Sequence, residues 1–298
     1  MRVLVLGSGG MLGSMIKRYL SENRNIQVSS TNRAEVNSAV LKEREYNYDI
    51  EKDPISVLEH ILLRAKPDYI INCIGVIKPG CKIEDSVGIV KAIKVNALFP
   101  HELSNVVGNI IPKCRILQIA TDCVYDGLTG FYDEFSLHNP IDVYGKTKSL
   151  GEVVSSNFLN IRCSIIGHEL KNCIGLLEWF LSHKDGDTVN GYDHHYWNGV
   201  TTLQFAQLCE KIIVFDAFDE YRKLNHTINY VINESVSKFV LLGLINNIYG
   251  RKINILNIYK DDEKINRILK SNFQKTEEGS IEEAIRQLKI YNVKSLKV

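Results

Sequence analysis

Several absences bound this chain before any motif is read. It lacks a charge imbalance: 36 Lys and Arg stand against 35 Asp and Glu, a formal net charge of +1. No long-range field is available to gather nucleic acid or an anionic membrane surface, so neither is expected as a partner. It lacks a long apolar run at the start, where Arg2-Val3-Leu4-Val5-Leu6 gives way at once to glycines. That run is too short for a secretion signal or a membrane span, and a cytoplasmic protein is expected. It lacks paired cysteines. The seven (Cys73, Cys81, Cys114, Cys123, Cys163, Cys173, Cys209) are odd in number, and no two form a Cys-x-x-Cys. Reduced, mostly buried thiols are expected, with no metal site. There is no internal repeat, low-complexity tract or Pro/Ser-rich linker. A composition of 45% hydrophobic and 24% charged residues is that of an ordinary globular protein.

What is present is an alternation. Short apolar runs at residues 2–6, 26–30, 69–74, 115–120 and 158–162 are nearly continuous in Val, Ile and Leu, as strands buried on both faces of a parallel sheet are. Between them lie helical patterns at 11–20, 54–66, 85–107 and 144–156, the second with Asp53 as its cap and Pro54 in its first turn. This order predicts an α/β fold with a Rossmann-type doubly wound parallel sheet. Beyond residue 165 the spacing loosens. A Trp- and Gly-containing loop is expected at 190–200, helices at 202–215, 235–249 and 264–270, and a last helix opening on a Ser280/Glu283 capping box. The basic tail Lys289, Lys294 and Lys297 reads as a solvated end. The expected organisation is a dinucleotide-binding domain, residues 1–165 with return segments near 195–220, and a smaller, discontinuous α/β substrate-binding region, residues 166–298.

Gly7-Ser8-Gly9-Gly10-Met11-Leu12-Gly13 follows the first strand and opens the first helix. Gly7 permits the tight turn, Gly10 lets backbone N–H groups approach a pyrophosphate, and Gly13 lets the helix pack close on the sheet. The helix N-terminus offers partial positive charge to the phosphates. At the end of the second strand an acid would take the adenosine ribose 2′-OH and an Arg a 2′-phosphate. The chain reads Ser30-Thr31-Asn32-Arg33, with no acid before Glu35, so Arg33 tilts the cofactor toward NADPH over NADH.

Tyr144-Gly145-Lys146-Thr147-Lys148 places a phenol and an ammonium on one face of a helix. A free phenol titrates at about 10. Lys148 is expected to favour the phenolate and bring Tyr144 down into a range useful for proton exchange, while holding the nicotinamide ribose. Thr121, in Ala120-Thr121-Asp122-Cys123-Val124, ends the strand that should lie beside this helix and can bond the same substrate oxygen. Asn72-Cys73-Ile74-Gly75 ends another strand, and Asn96 sits mid-helix, where Asn is a mediocre helix former.

In this order and spacing the chain resembles the extended short-chain dehydrogenase/reductase family, and within it the dTDP-4-dehydrorhamnose reductase branch. The carrying motifs are Gly7-x-x-Gly10-x-x-Gly13, Asn72-Cys73-Ile74-Gly75, Val95-Asn96-Ala97 with Pro100, and Thr121-Asp122-x-Val124-Tyr125-Asp126-Gly127. They continue through Tyr132-x-Glu134, Pro140 with Tyr144-Gly145-Lys146-x-Lys148-x-x-Gly151-Glu152, and Arg162. The resemblance is full over residues 1–167 and thins to Trp197-Asn198-Gly199-Val200-Thr201-Thr202 and Asn266-Arg267-x-Leu269 beyond. It implies a catalytic set of Thr121, Tyr144, Lys148 and Asn96. It implies that Gly7, Gly9, Gly10, Met11, Leu12, Gly13, Arg33, Asp49, Ile50, Cys73, Ile74 and Gly75 join Tyr144 and Lys148 around NADPH or NADH. Asp122, Cys123, Val124, Arg162 and Trp197 would face a nucleotide-diphospho-sugar. The implied activity is reduction of a 4-keto group on a nucleotide-activated 6-deoxysugar, for surface polysaccharide, by an enzyme for which a homodimer is one assembly the family offers.

The chain departs from the family at Cys123, where an aromatic is common, and at Cys163 and Ile165, where Arg-Thr-Ser-Trp is common. Both are pocket positions in the family, so the sugar can differ while the redox core does not. Two rival readings stand beside the reductase. An epimerase or dehydratase would retain NAD, but a dehydratase needs a carboxylate pair after the Thr and this chain has one. A cofactor-binding regulatory subunit is argued against by the intact Thr121, Tyr144 and Lys148. Arg162 reads equally as an internal ion pair, and Trp197 as a core aromatic. The adjacent His194 and His195 do not converge on one ligand. Cys123, with no His partner in its motif and Asp122 beside it, is not a nucleophile.

Overall fold

The computed structural model describes residues 1–33, 44–171, 173–273 and 279–295; Glu35 and Lys297 lie outside them. The five apolar runs of the first half form parallel strands β1 (Arg2–Leu6), β2 (Gln27–Asn32), β4 (Tyr69–Asn72), β5 (Arg115–Thr121) and β6 (Phe158–Cys163), and a further strand that no apolar run marks, β3 (Glu45–Asn47), joins them after β2. The crossovers are α1 (Met11–Ser21), α2 (Ile55–Ala65), α3 (Ser86–Ala92) running through a π-helical turn at Ile93–Leu98 into α4 (Phe99–Ile110), and α5 (Val143–Leu150). The C-terminal part adds β7 (Ile165–Ile166), α6 (Leu176–Ser182), β8 (Thr188–Tyr192), β9 (His195–Trp197), β10 (Val200–Thr201), α7 (Thr202–Val214), α8 (Phe218–Leu224) and β11 (Thr227–Asn229). It closes with β12 (Val236–Ser237), α9 (Lys238–Tyr249), β13 (Asn254–Ile258), β14 (Ile265–Asn266) and α10 (Ile281–Ser295).

The large sheet runs β11-β6-β5-β4-β1-β2-β3, every pair parallel. This is a Rossmann-type doubly wound sheet, and its order reverses between β1 and β4. Leu6 is in register with Asn72, so the glycine loop and the Cys73 turn leave the sheet side by side at the switch point, where such sheets bind ligands. One core cluster, from Val3 to Leu288, gathers α1, α7, α9 and α10 on one face; another, with Leu4, Ile70 and Phe99, gathers α2 and α4 on the other. Leu12, Met15, Ile16 and Leu20 bury one stripe of α1, worth about 1.5–3 kcal/mol each.

Six local expectations are corrected. Residues 264–270 are not helical: Ile265 and Asn266 pair with β9, and Leu269 bridges Tyr132. The loop at 190–200 is largely strand, because β9 is needed as the centre of the small sheet β12-β9-β14. The helix at 144–156 stops at Leu150, since Val153 turns into the core and Glu152 swings to Arg162. Pro54, not Asp53, occupies the cap of α2, and the Asp53 carboxylate accepts the Asp49 N–H instead. Ser280 accepts the Glu283 N–H, but Glu283 accepts from Gln287, so that capping box is half made; the complete one is Thr201/Gln204 at α7. Lys289 is no solvated end, because its ammonium donates to the Ile248 carbonyl.

Candidate active site

The glycine loop is shaped as a dinucleotide cradle. Gly7 has φ +80°, and a Cβ on Gly13 would stand 2.3 Å from the Gly7 carbonyl oxygen. No side chain fits at that crossing of β1 and α1. Gly10 caps α1 with no side-chain hydrogen bond, and a Cβ on Gly9 would meet nothing within 4 Å. The first-turn N–H groups of α1 are thus left to an anion. Thr31, which the sequence does not single out, fixes the loop: its hydroxyl accepts the Gly7 N–H and its carbonyl accepts the Ser8 N–H. Across the switch point, the Asn72 carbonyl oxygen accepts the Ile74 N–H and its amide donates to Gln118, holding the Cys73-Ile74-Gly75 turn.

Some expected cofactor residues are occupied elsewhere. The Leu12 and Ile50 side chains are buried in the two core clusters, and the Asp49 carboxylate accepts the Glu51 N–H. Leu12 and Ile50 have backbone alone to offer a ligand. Arg33 is exposed at the end of β2, 3.7 Å from Glu51, which also pairs with Lys91 at 2.7 Å.

The reacting groups come from β5 and α5. Asp142 caps α5 by accepting the Gly145 N–H at 2.7 Å. A Cβ on Gly145 would lie 2.1 Å from the Cys123 carbonyl, and one on Gly151 would lie 1.9 Å from the Asn96 carbonyl. Two glycines therefore dock α5 directly on neighbouring backbone. Docking brings the Tyr144 hydroxyl beside Thr121. Thr121 also donates to Asp122 Oδ1 at 3.0 Å and accepts the Cys123 N–H at 3.2 Å. Lys148 is buried, and its ammonium donates to the Ile119 carbonyl at 2.8 Å.

The electrostatics reverse one expectation. Burial holds the Tyr144 phenol well above its ordinary value, and the nearby Asp122 carboxylate pushes the same way. Burial also draws Lys148 down to about 8, opposed chiefly by Glu152. The buried hydroxyl is a fully protonated donor rather than an incipient phenolate. Cys123 is likewise pushed up to about 12, by burial first and Asp122 second, so its thiol is inert.

Asn96 occupies the π-helical turn, where widened backbone geometry lets a poor helix former leave the helix. Its carbonyl oxygen accepts the Val76 N–H, and its amide donates to the Val76 carbonyl and Thr147. It clamps three segments around Tyr144 and Lys148 and is a positioning residue, not a member of the reacting set. Three substrate-side expectations are corrected. Val124 is wholly buried against Tyr125, Tyr132, Val231 and Leu269. Arg162 is 3% exposed, and all three of its nitrogens are engaged: Nε and Nη2 to Glu152 at 2.7 Å, Nη2 also to His138, and Nη1 to Tyr125. It is the internal ion pair. Trp197 is a core aromatic, 4% exposed, donating to Ser164. Of the two histidines, His194 is buried on the backbone of Ile258 and Lys260, and His195 stacks on Tyr192.

All seven cysteines are free, and among the described residues no cluster of three or more His, Cys, Asp or Glu could hold a metal. Nor is any described helix long and apolar enough to cross a membrane. Compared with known proteins, residues 1–168 match the family described as RmlD substrate binding domain. A probable low-salt glycan biosynthesis reductase of Haloferax volcanii is 29% identical over 202 residues, 63% of this chain and 63% of its own length. A dTDP-4-dehydrorhamnose reductase of Aggregatibacter actinomycetemcomitans is 25% identical over 222 residues, 72% of this chain and 69% of that one. The fold is shared with a dTDP-4-dehydrorhamnose reductase of Bacillus anthracis solved with NADP. The TM-score is 0.74 at 19% identity, over 97% of this chain and 99% of that one.

Proposed function

The chain belongs to the RmlD substrate binding domain family, and on that premise we propose that it is an NADPH-dependent reductase of a 4-keto group on a nucleotide-activated 6-deoxysugar. The observation that carries this reading is the Thr121–Tyr144–Lys148 cluster, with a glycine loop at the switch point of the same sheet. The loop residues Gly7, Gly9, Gly10 and Gly13 would hold the pyrophosphate, Lys148 the nicotinamide ribose, and Arg33 a 2′-phosphate. NADPH would supply the hydride that reduces the keto carbon.

The chain's own groups account for the remainder. Tyr144 keeps its proton at neutral pH because burial disfavours the phenolate, and it gives that proton to the keto oxygen. Thr121, beside Tyr144 and held by Asp122 and the Cys123 N–H, would help fix where that oxygen sits. Negative charge grows on the oxygen as carbon is reduced, so donors aimed at it and the Lys148 cation lower the barrier more than they strengthen ground-state binding. Asn96 and the docking glycines hold the acid in register with the strand end. The natural setting of such a step is assembly of a surface polysaccharide, in the cytoplasm, with a homodimer as the assembly to look for.

The test is to incubate purified protein with NADPH or NADH and nucleotide-4-keto-6-deoxysugars of the dTDP and UDP series, following loss of reduced-cofactor absorbance. Stoichiometric NADPH consumption is expected. Retained NAD with no net consumption would point to an epimerase, and cofactor binding without turnover on any of these sugars to a regulatory subunit.

A further inference from the structure

The C-terminal part brings one cation to the site that the mechanism above does not use. Lys238 is the first residue of α9, after the Ser237 cap, whose hydroxyl accepts the Val240 N–H. The preceding strand β12 pairs with β9, Val236 opposite Trp197. This turn folds the Lys238 side chain back over the Trp197 indole, its Nζ 5.3 Å from the ring centroid. Trp197 in turn donates to Ser164, just past Cys163, which is in register with Thr121. A short path of contacts therefore leads from Lys238 to the strand end that carries the reacting hydroxyl.

Lys238 is half-buried, and among the described residues its ammonium has no hydrogen-bond acceptor and no carboxylate pair; what it has is an aromatic face. The carboxylate that bears on it, Asp122, is committed to the Thr121 hydroxyl and the Cys123 thiol. Other cations converge on the same place and are already spent. Arg267 donates to the carbonyls of Tyr125 and Asp126, and Lys78 pairs with Asp142 at 3.0 Å. His195 feels Lys238 and Arg267 together and is drawn below its ordinary value, by burial first. Of Arg267, Lys78 and Lys238, Lys238 alone has no hydrogen-bond or carboxylate partner among the described residues.

We infer that Lys238 is the substrate-side cation of this site, taking the diphosphate of the nucleotide sugar while Trp197 supports its stem. This rests on the nucleotide-sugar reading above. A half-buried ammonium without a partner is a standing cost in the free protein, and a ligand carrying formal charge relieves it where a neutral sugar does not. Burial draws Lys238 down to about 8, so a bound anion should also draw a proton onto it.

The experiment is calorimetric titration of the full chain with dTDP, UDP, thymidine and NADPH, for wild type, Lys238→Met and Lys238→Arg. Lys238→Met keeps length and apolar contact with Trp197. It should weaken the better nucleoside diphosphate about 10- to 100-fold, leave thymidine and NADPH within about threefold, and leave the unfolding midpoint unchanged or raised. Lys238→Arg should recover most of the loss. At pH 8, wild type should take up as much as about half a proton on binding the diphosphate, and Lys238→Met should not. Lys238→Gln repeats the measurement if the Met variant folds poorly. Wild-type diphosphate affinity in a folded neutral variant overturns the role of Lys238 and leaves the reductase reading standing. If wild type binds NADPH but no nucleoside diphosphate, both fall.

Discussion

Gly145→Ala tests whether the position of Tyr144 depends on a glycine-to-carbonyl contact. The added Cβ would stand 2.1 Å from the Cys123 carbonyl oxygen and 2.8 Å from Pro140 Cβ, where ordinary contact begins at 3.4 Å. Neither neighbour can rotate away, so the start of α5 must retreat by about 1 Å. Alanine gains about 1 kcal/mol of helix propensity, against about 1–3 kcal/mol for overpacking. A net loss of about 1 kcal/mol follows, or a few degrees in unfolding midpoint. Activity is hit harder, because Tyr144 precedes the substituted residue and the obstructing carbonyl lies two residues past Thr121. A displacement of about 1 Å between reacting groups costs about 10²-fold. Steady-state NADPH consumption should show that loss in kcat, while fluorescence titration finds NADPH affinity within about threefold, since the glycine loop is untouched. Gly243→Ala on α9, whose Cβ would meet nothing within 4 Å, is the control and should keep full activity with equal or greater stability. Wild-type kcat in Gly145→Ala, or equal losses in both variants, would refute the reasoning.

Tyr144→Phe removes the proton donor and keeps the ring, so kcat should fall about 10²–10⁴-fold with cofactor affinity nearly unchanged; near-normal turnover would remove Tyr144 from its role. Arg33→Ala should cut the preference for NADPH over NADH by about tenfold or more, and equal preference before and after would show that Arg33 does not read the 2′-phosphate. With Lys148 at about 8, kcat/KM should decline as pH rises through 8 and the ammonium is lost; a flat profile to pH 9.5 would contradict this. Stability should also decline on the alkaline side. Burial raises the thiols of Cys73, Cys114, Cys123, Cys163 and Cys209, so their contribution is present below the unfolded thiol pKa, about 8.5, and fades above it. Lys148 and Lys238, both lowered, push the other way but are fewer. A urea midpoint that rises between pH 8.5 and 10 would show that the lysines win.

The large sheet was legible because its strands are buried on both faces and its crossovers are amphipathic, so local pattern and tertiary fate agree. Its seventh strand, Thr227–Asn229, is three residues long and returns from the C-terminal part, and nothing in its own sequence marks it. The same holds for β9, whose pairing with β12 and β14 is decided by distant chain. At the site, the spacing of Thr121, Tyr144 and Lys148 could be read because each falls at a strand end or on one helix face. Their protonation could not. Sequence spacing shows Lys148 near Tyr144, but burial, which decides both groups, is a property of the assembled core. Lys238 was invisible for the same reason: its neighbour Trp197 is 41 positions away and meets it only through a two-residue strand pairing.

Among the cations near the site, burial does not distinguish ligand-facing groups from structural ones; spent donors do. Arg162 has its guanidinium filled by Glu152, His138 and Tyr125. Arg267 leans on two carbonyls and Lys78 on a carboxylate. An ammonium has three donors, and among the described residues Lys148 spends one on the Ile119 carbonyl while Lys238 spends none. These two lysines are also the ones that burial draws down to about 8. Both are cations whose solvation was removed without full replacement, which is stable only if an anionic or strongly polar ligand completes them. One stands on α5, facing the strand ends β4 to β6; the other stands on α9, supported by the indole beyond Thr121. A reductase that holds two phosphorylated molecules needs a cation for each, and these two lysines, on different helices, are the ones with donors to spare.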